Sequence, residues 1–134
     1  MRLAADANVP LSAVLGGRAR LILQSPRVEE LLTARTTLAE VREYAQVLAR
    51  NRRLPALLLL AVASLPVTVV DQQVYRASID EAKRRIGRRD PDDVEILALA
   101  IHFHIPVWSN DKDFEDAGVP RYATADLLRE LQEH

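Results

Sequence analysis

Apolar and polar positions follow one another along the chain in a way that predicts strands separated by helices. The apolar runs Arg2–Ala5, Val67–Val70 and Ile105–Trp108 have the length and composition of short buried strands. A weaker apolar stretch at Leu31–Ala34 predicts a further strand, and Tyr122-Ala123 predicts a last strand at the edge of the sheet. Strands that alternate with helices are typical of a parallel sheet covered by helices on both faces.

The helices are predicted from apolar periodicity and from capping residues. Thr36 or Thr37 is the predicted N-cap of a helix that runs to Arg52, and Glu40 follows Thr37 by three residues as in a capping box. A short helix is predicted to begin at Asn8, Pro10 and Ser12 and to stop at Gly16. Asp71 is the predicted cap of a helix that runs to Ile86, and Thr124 that of a helix that reaches the C-terminus. The remaining predicted helices are Arg18–Gln24, Pro55–Ala63 and Asp92–Phe103.

Composition narrows the class of protein further. The 134 residues fit one domain, residues 1–134, and 49% of them are hydrophobic, which is enough for a core. The net charge of −1 argues against a passive nucleic-acid binder that works through overall positive charge. The chain has no cysteine, no signal-peptide pattern at its start, and no apolar stretch long enough to span a membrane. We therefore expect a cytoplasmic protein with no membrane partner.

Acidic residues follow the predicted strands or open the predicted helices. Asp6 comes directly after the first strand, Glu40 lies at the start of a helix, Asp93 lies beside Asp92 at the start of another, and Asp111 and Asp113 follow the Val107-Trp108 strand. In a parallel α/β sheet, the carboxyl ends of strands and the amino ends of helices share one edge, where ligands bind. The topology therefore predicts that these acids gather at that edge.

Such a cluster can serve a chemical reaction, although each acid also has a purely structural interpretation. Close carboxylates repel one another, and a hard divalent cation such as Mg²⁺ or Mn²⁺ removes that cost while leaving positions open for a phosphate. This set of groups is suited to hydrolysis of a phosphodiester. Taken singly, each acid has another interpretation: Asp6 as a turn residue, Glu40 as the capping-box glutamate, Asp92 or Asp93 as a first-turn acid, and Asp111 with Asp113 as a polar turn.

Basic residues cluster near one of these acidic segments. Arg88 and Arg89 lead directly into Asp90–Asp93, and with Lys83, Arg84 and Arg85 they can grip an RNA backbone. The equally open interpretation is that they are solvated helix ends, where basic residues suit the helix dipole.

Four segments together resemble the PIN-domain family along nearly the whole chain. The opening LAADANVPLSAVLGG is similar to the family's first strand and Asp-x-Asn turn, here Asp6-Ala7-Asn8. TTLAEV matches the glutamate helix and indicates Glu40, and RDPDDVEILALA matches the third acidic motif in a register that selects Asp93 over Asp92. VWSNDKDF matches the last motif, with Asp111 and Asp113 as acids and Ser109 and Asn110 as polar support.

The resemblance implies a fold, an activity and partners. The implied fold is a three-layer α/β/α structure with a central parallel sheet of four or five strands. The implied activity is a Mg²⁺- or Mn²⁺-dependent ribonuclease whose metal ligands and catalytic residues are Asp6, Glu40, Asp93 and Asp111, with Asp113 as a further ligand. Asn8, Ser109, Asn110, Arg88 and Arg89 are the expected RNA-binding residues. Many relatives are toxins of toxin–antitoxin pairs and many are homodimers, so an antitoxin protein and a second copy are the expected partners.

Two other functions remain open at the level of sequence. One is a phosphoryl-accepting receiver domain, which needs paired acids after the first strand and a lysine after a late strand. Here Asp6 is followed by Ala7 and Asn8, and Lys112 lies between two acids, so the match is poor. The other is a non-catalytic RNA- or protein-binding module built on the PIN scaffold, which the retained acids argue against.

Overall fold

The central sheet has the parallel arrangement that the alternating sequence pattern predicts. A computed structural model of the chain describes residues 1–5, 9, 18–52, 67–86 and 91–132. Within them, five strands form one sheet of order β3-β2-β1-β4-β5, and every neighbouring pair is parallel. The strands are β1 (Arg2–Ala5), β2 (Glu30–Ala34), β3 (Thr68–Val70), β4 (Val107–Trp108) and β5 (Arg121–Tyr122).

Helices follow the strands and cover the sheet. They are α1 (Ala19–Leu23), α2 (Arg35–Arg52), α3 (Gln72–Tyr75), α4 (Ile79–Ile86), α5 (Pro91–Phe103) and α6 (Thr124–Gln132), with 3₁₀ turns at Arg76–Ser78 and Lys112–Phe114. No helix in the described ranges has both the length and the apolar character required to cross a bilayer.

The two faces of the sheet support separate halves of the core. Successive strand residues point to opposite faces, so Ala4 packs with the buried residues of α5 while Leu3 and Ala5 pack with those of α1 and α6. In β4, Val107 belongs to the first group and Trp108 to the second. This division confirms the α/β/α layering expected from the family resemblance, with five strands at its centre.

Helix α5 lies deepest in the molecule. All five residues from Ile96 to Ala100 are at most 1% exposed, so this helix is apolar around most of its circumference. It ends in a Schellman motif: the Ile105 N–H donates to the Ala100 carbonyl at 3.1 Å, and the His104 N–H donates to the Ile101 carbonyl at 3.3 Å. His104 occupies the left-handed position of this motif, with φ of 55°.

The predicted capping box at Thr37 is wrong. Helix α2 begins at Arg35, immediately after β2, so Thr36 and Thr37 both lie inside the helix and not before it. An N-cap hydroxyl accepts a bond from a backbone N–H, whereas the buried Thr37 hydroxyl donates to the Ala34 carbonyl at 2.9 Å. The short connection between strand and helix leaves Thr37 facing the end of the strand, where that carbonyl satisfies its hydroxyl.

Thr124 and Asp71 also act differently from the caps that were predicted. Thr124 is the first helical residue of α6, and its hydroxyl accepts the Trp108 indole N–H at 3.2 Å. The cap is made instead by Asp126, whose carboxylate accepts the Ala123 N–H at 3.1 Å. Asp71 precedes α3 but makes no side-chain cap, because its carboxylate pairs with Arg35.

The single helix predicted from Asp71 to Ile86 is divided in the structure. A 3₁₀ turn at Arg76–Ser78 separates α3 from α4. The predicted helices that end at Gly16 and that cover Pro55–Ala63 lie outside the described residues, and so does the predicted Gly87–Asp90 loop.

Candidate metal centre

Three of the predicted acids meet at the carboxyl edge of the sheet. Asp93, Asp111 and Asp113 each contribute a carboxylate oxygen to a group in which all three atoms lie within 4.8 Å of one another. Asp93 is 7% exposed, Asp113 is half-buried and Asp111 is exposed. The group, hereafter the acidic cluster, therefore has a buried base and an open side that faces solvent.

Asp93 is positioned by the first turn of α5. This helix begins at Pro91, a residue that suits a first helical turn because it has no N–H to satisfy. The apolar residues that follow bury the helix against the sheet, and this holds the Asp93 side chain near the carboxyl end of β4. The amino end of a helix carries partial positive charge, which favours an acidic side chain at this position.

Asp111 and Asp113 are positioned by the turn after β4. The Asp111 carboxylate caps the 3₁₀ turn by accepting the Asp113 N–H at 2.9 Å. The Asp111 N–H in turn donates to the Ser109 hydroxyl at 3.0 Å. Phe114, which is fully buried, anchors the end of the turn in the core. The turn therefore presents its two carboxylates on the side that faces Asp93.

The polar residues Ser109 and Asn110 tie this turn to neighbouring elements. Ser109 is fully buried, and its N–H donates to the Tyr122 carbonyl of β5 at 3.0 Å. The Asn110 side-chain oxygen accepts the N–H of Thr124, the first residue of α6, at 2.9 Å. These bonds make both residues supports of the acid-bearing turn, and their predicted contact with RNA stays a prediction.

Several predicted site residues fall outside what the structure describes. Asp6, Asn8, Arg88 and Arg89 lie outside the described residues. The backbone of Glu40 belongs to α2, but its side chain is not described. Strand β1 ends at Ala5, the residue before Asp6. Ala5 is paired with Trp108 of β4, which is the residue before Ser109. The metal-ligand roles of Asp6 and Glu40 stay predictions.

A second polar group surrounds Glu95, two residues after Asp93 in α5, and no sequence pattern predicted it. Glu95 accepts hydrogen bonds from the Gln72 side-chain amide at 2.7 Å and from the Tyr75 hydroxyl. Tyr75 is fully buried, and burial, followed by the hydrogen bond to Glu95, raises its pKa well above the usual tyrosine range. No local sequence signal links these residues, because 20 positions separate Tyr75 from Glu95.

The chemistry of the acidic cluster fits a divalent cation. Its three donors are all carboxylate oxygens, the hard ligands that Mg²⁺ and Mn²⁺ prefer. Two ligands on opposite sides of a Mg²⁺ lie about 4.2 Å apart, so oxygens that lie within 4.8 Å of one another need to close by about half an ångström to share one ion. The exposed side leaves room for water and for a phosphate.

Comparison with known proteins agrees with this architecture. A family model described as "PIN domain" matches residues 5–132. Among solved structures, FitAcB from Neisseria gonorrhoeae is similar with 24% identity and a TM-score of 0.59, covering 93% of this chain and 99% of the other. FitAB bound to an IR36 DNA fragment is similar with 22% identity and a TM-score of 0.60, covering 92% and 95%. No curated protein sequence matches.

The family match extends over nearly the whole chain, including all three members of the acidic cluster. The chain belongs to the PIN-domain family. The two solved structures support the same fold at low sequence identity, and the parallel sheet of five strands is the fold that the resemblance implied.

Proposed function

We propose that this chain is a ribonuclease that hydrolyses RNA phosphodiester bonds with Mg²⁺ or Mn²⁺. The observation that carries the proposal is the meeting of Asp93 with Asp111 and Asp113, from two separate elements of a PIN-domain chain, within 4.8 Å. Carboxylates that lie this close together repel one another, and a divalent cation bound between them offsets that repulsion. A cluster of three at the edge where α/β proteins bind ligands is best explained by a cation.

The proposed ligands are Asp93, Asp111 and Asp113, with Asp6 and Glu40 completing the set as the family resemblance implies. When bound, a divalent cation lowers the pKa of water and offsets the charge of the phosphate. The protein's own contribution is to hold the carboxylates in place before the substrate arrives. Helix α5 fixes Asp93, and the hydrogen bonds from Asp113 to Asp111 and from Asp111 to Ser109 fix the turn. Asn8, Asn110, Arg88 and Arg89 are proposed to contact the RNA.

The sharpest test replaces one carboxylate without disturbing the turn. Asp111→Asn keeps an oxygen that can accept the Asp113 N–H, so the turn should persist while the ligand charge is lost. We expect cleavage of a defined RNA panel to fall on the order of 100-fold or more. The matched control is Asp116→Asn, an exposed acid five residues along that is not part of the acidic cluster, and it should cleave normally. Equal activity of wild type and Asp111→Asn would refute the proposed mechanism.

Metal dependence provides an independent test. Cleavage should stop in EDTA and return when Mn²⁺ or Mg²⁺ is added in excess. Persistence of cleavage in chelator would exclude the metal mechanism, and a folded protein that binds Mn²⁺ yet cleaves no member of the panel would favour the non-catalytic module. A receiver domain would instead become phosphorylated on Asp6 by acetyl phosphate, which a mass spectrum detects.

We also propose that the chain acts in the cytoplasm as one half of a toxin–antitoxin pair and forms a homodimer. The support is the family resemblance together with the similar fold of FitAB, which was solved bound to a DNA fragment. The test is co-expression with the protein encoded by the neighbouring reading frame. A toxin should bind that protein in a stable complex, and its own expression should arrest growth unless Asp111 is replaced. Light scattering of the purified chain should give twice its mass of 15.0 kDa.

A further inference from the structure

A cavity lies at the opposite end of α5 from the acidic cluster. It has a volume of about 310 Å³ and is lined by Arg85, Ile101, His104, Ile105, Val119 and Pro120, among others. Eleven residues separate Asp93 from His104 along the helix, which corresponds to about 17 Å at 1.5 Å per residue. This Arg85–His104 cavity is therefore a separate feature, and the proposed ribonuclease function makes no use of it.

The Arg85 side chain is held firmly in the wall of the cavity. Its Nε donates to a Glu81 carboxylate oxygen at 3.0 Å, and its Nη1 donates to the Ala117 carbonyl at 3.2 Å. Gly118, with φ of 77°, allows this close packing, because a Cβ there would lie 3.1 Å from Nη1. An arginine fixed in this way loses little side-chain entropy when it binds a ligand.

Glu81 does not neutralise the positive charge at this wall. The same carboxylate also binds Arg84, through Nε at 3.1 Å and through Nη2, so one acid is shared by two guanidinium groups. Arg84 is 72% exposed and is not among the residues that line the cavity, whereas the Arg85 side chain is 32% exposed and faces it. Arg84, Arg85 and Glu81 carry one net positive charge among them, and Asp80 is a further acid that acts on Arg84.

The wall formed by the end of α5 is apolar except for His104. The Schellman bonds from His104 and Ile105 already satisfy the carbonyls of Ile101 and Ala100. Ile101, Ile105 and Val119 supply aliphatic surface, and His104 is exposed at the rim. The cavity therefore combines fixed donors with an apolar floor in about 310 Å³, and it is about half open to solvent.

We propose that the Arg85–His104 cavity binds a small molecule in which an oxyanion, a carboxylate or a phosphate, is attached to an apolar body. The fork of an arginine guanidinium matches two oxygens of either anion. His104 supplies a ring N–H to the same group, and the aliphatic floor takes the apolar body. A neutral molecule of the same shape lacks the charge-assisted bonds, and a cation is repelled by Arg85.

The test measures binding of four matched probes to the full chain by NMR, following the Gly118 and His104 backbone amides. Benzoate and phenyl phosphate should shift both amides with saturable, millimolar affinity, and the stronger of the two identifies the anion. Benzamide and benzylammonium should bind at least tenfold more weakly. Arg85→Gln should lose the preference for anions, whereas Arg84→Gln, which removes the same charge from the other partner of Glu81, should keep it.

His104→Gly guards against a misfolded Arg85 variant, since glycine suits the left-handed position and should keep the helix end intact. We expect it to weaken anion binding several-fold. Equal binding of benzoate and benzamide, an Arg84→Gln effect as large as that of Arg85→Gln, or no saturable shift with any probe would overturn the proposal. RNA cleavage by wild type and Asp111→Asn is measured separately, so failure of either proposal leaves the other standing.

Discussion

Asp93 and Glu95 lie near the amino end of α5 and have different surroundings. The carboxylate of Asp93 lies within 4.8 Å of those of Asp111 and Asp113. Two residues later, Glu95 receives hydrogen bonds from Gln72 and Tyr75. Both acids belong to the same buried helix, so the difference arises entirely from the elements that face them. Donors from α3 make Glu95 part of the architecture, and carboxylates from the β4 turn make Asp93 part of a candidate metal centre.

The largest expected effect separates these two acids by activity. Asp93→Asn should reduce RNA cleavage on the order of 100-fold or more, because it removes a charged ligand from the acidic cluster. Glu95→Gln is the matched control: it removes the same charge two residues away but keeps an oxygen that can accept the Tyr75 hydroxyl, so cleavage should stay within about twofold. Initial rates on one RNA at saturating Mn²⁺ measure both. Similar losses of cleavage in the two variants would show that Asp93 and Glu95 do not differ in function.

The second effect concerns stability and added metal. A ligand that binds only the folded state stabilises it by about 2.7 kcal/mol at 100 times its dissociation constant. Mn²⁺ should therefore raise the free energy of unfolding of wild type by roughly this amount, and that of Asp93→Asn much less. Urea titrations with and without Mn²⁺ measure these differences, and an equal response of both proteins would count against the cluster.

The third effect concerns the hydrogen bond from Tyr75 to Glu95. Tyr75→Phe removes a buried donor to Glu95 and should lower the free energy of unfolding by about 1 to 3 kcal/mol, with cleavage retained. The matched control is Tyr122→Phe, because the Tyr122 hydroxyl makes no hydrogen bond to any residue that the structure describes. A stability loss in Tyr122→Phe as large as that in Tyr75→Phe would show that the Glu95 bond is unimportant.

The same tyrosine predicts how stability depends on pH. The pKa of Tyr75 is raised in the folded state, whereas a tyrosine in the unfolded chain ionises at about pH 10. Its contribution is therefore fully present below about pH 10 and is lost as the pH rises from there toward the folded-state pKa. Urea midpoints at several alkaline pH values should fall more steeply for wild type than for Tyr75→Phe, and parallel curves would contradict this.

The smallest effect lies at the far end of α5. A left-handed backbone costs a residue with a Cβ about 1 kcal/mol, and part of that cost returns as entropy when glycine is placed in the unfolded chain. His104→Gly should therefore raise the free energy of unfolding by less than about 1 kcal/mol. Gly118→Ala, at φ of 77° and with its Cβ 3.1 Å from Arg85, should change it in the opposite direction. Thermal unfolding of both variants gives the two signs.

The strands and their order along the chain could be predicted because they depend on local patterns. Arg2–Ala5 was predicted as a strand and is one, and the short runs before Asp71 and Ser109 also form strands, of which the structure gives Thr68–Val70 and Val107–Trp108. The meeting of Asp93 with Asp111 followed from the rule that strand ends and helix starts share one edge of a parallel sheet. What predicted the site was topology combined with residue type.

The contacts that could not be predicted are those in which packing, and not spacing along the chain, selects the partner. Thr37 looked like a cap from its spacing to Glu40, but its hydroxyl is used by the carbonyl of Ala34. The bond from Tyr75 to Glu95 depends on where α3 packs against α5, which no local pattern encodes. Spacing along the chain shows which hydrogen bonds a residue can make, and packing of the folded chain determines which of them it makes.

The hydrogen bond from Thr124 to the Asn110 side chain has a consequence for handling the protein. Through this bond, the last helix and the segment that carries Asp111 are mechanically connected. If a purification tag, a deletion or a binding protein shifts α6, the carboxylates should move as well, even without direct contact. The end of α6 is therefore not a neutral attachment point, and assays of cleavage are better made with tags elsewhere.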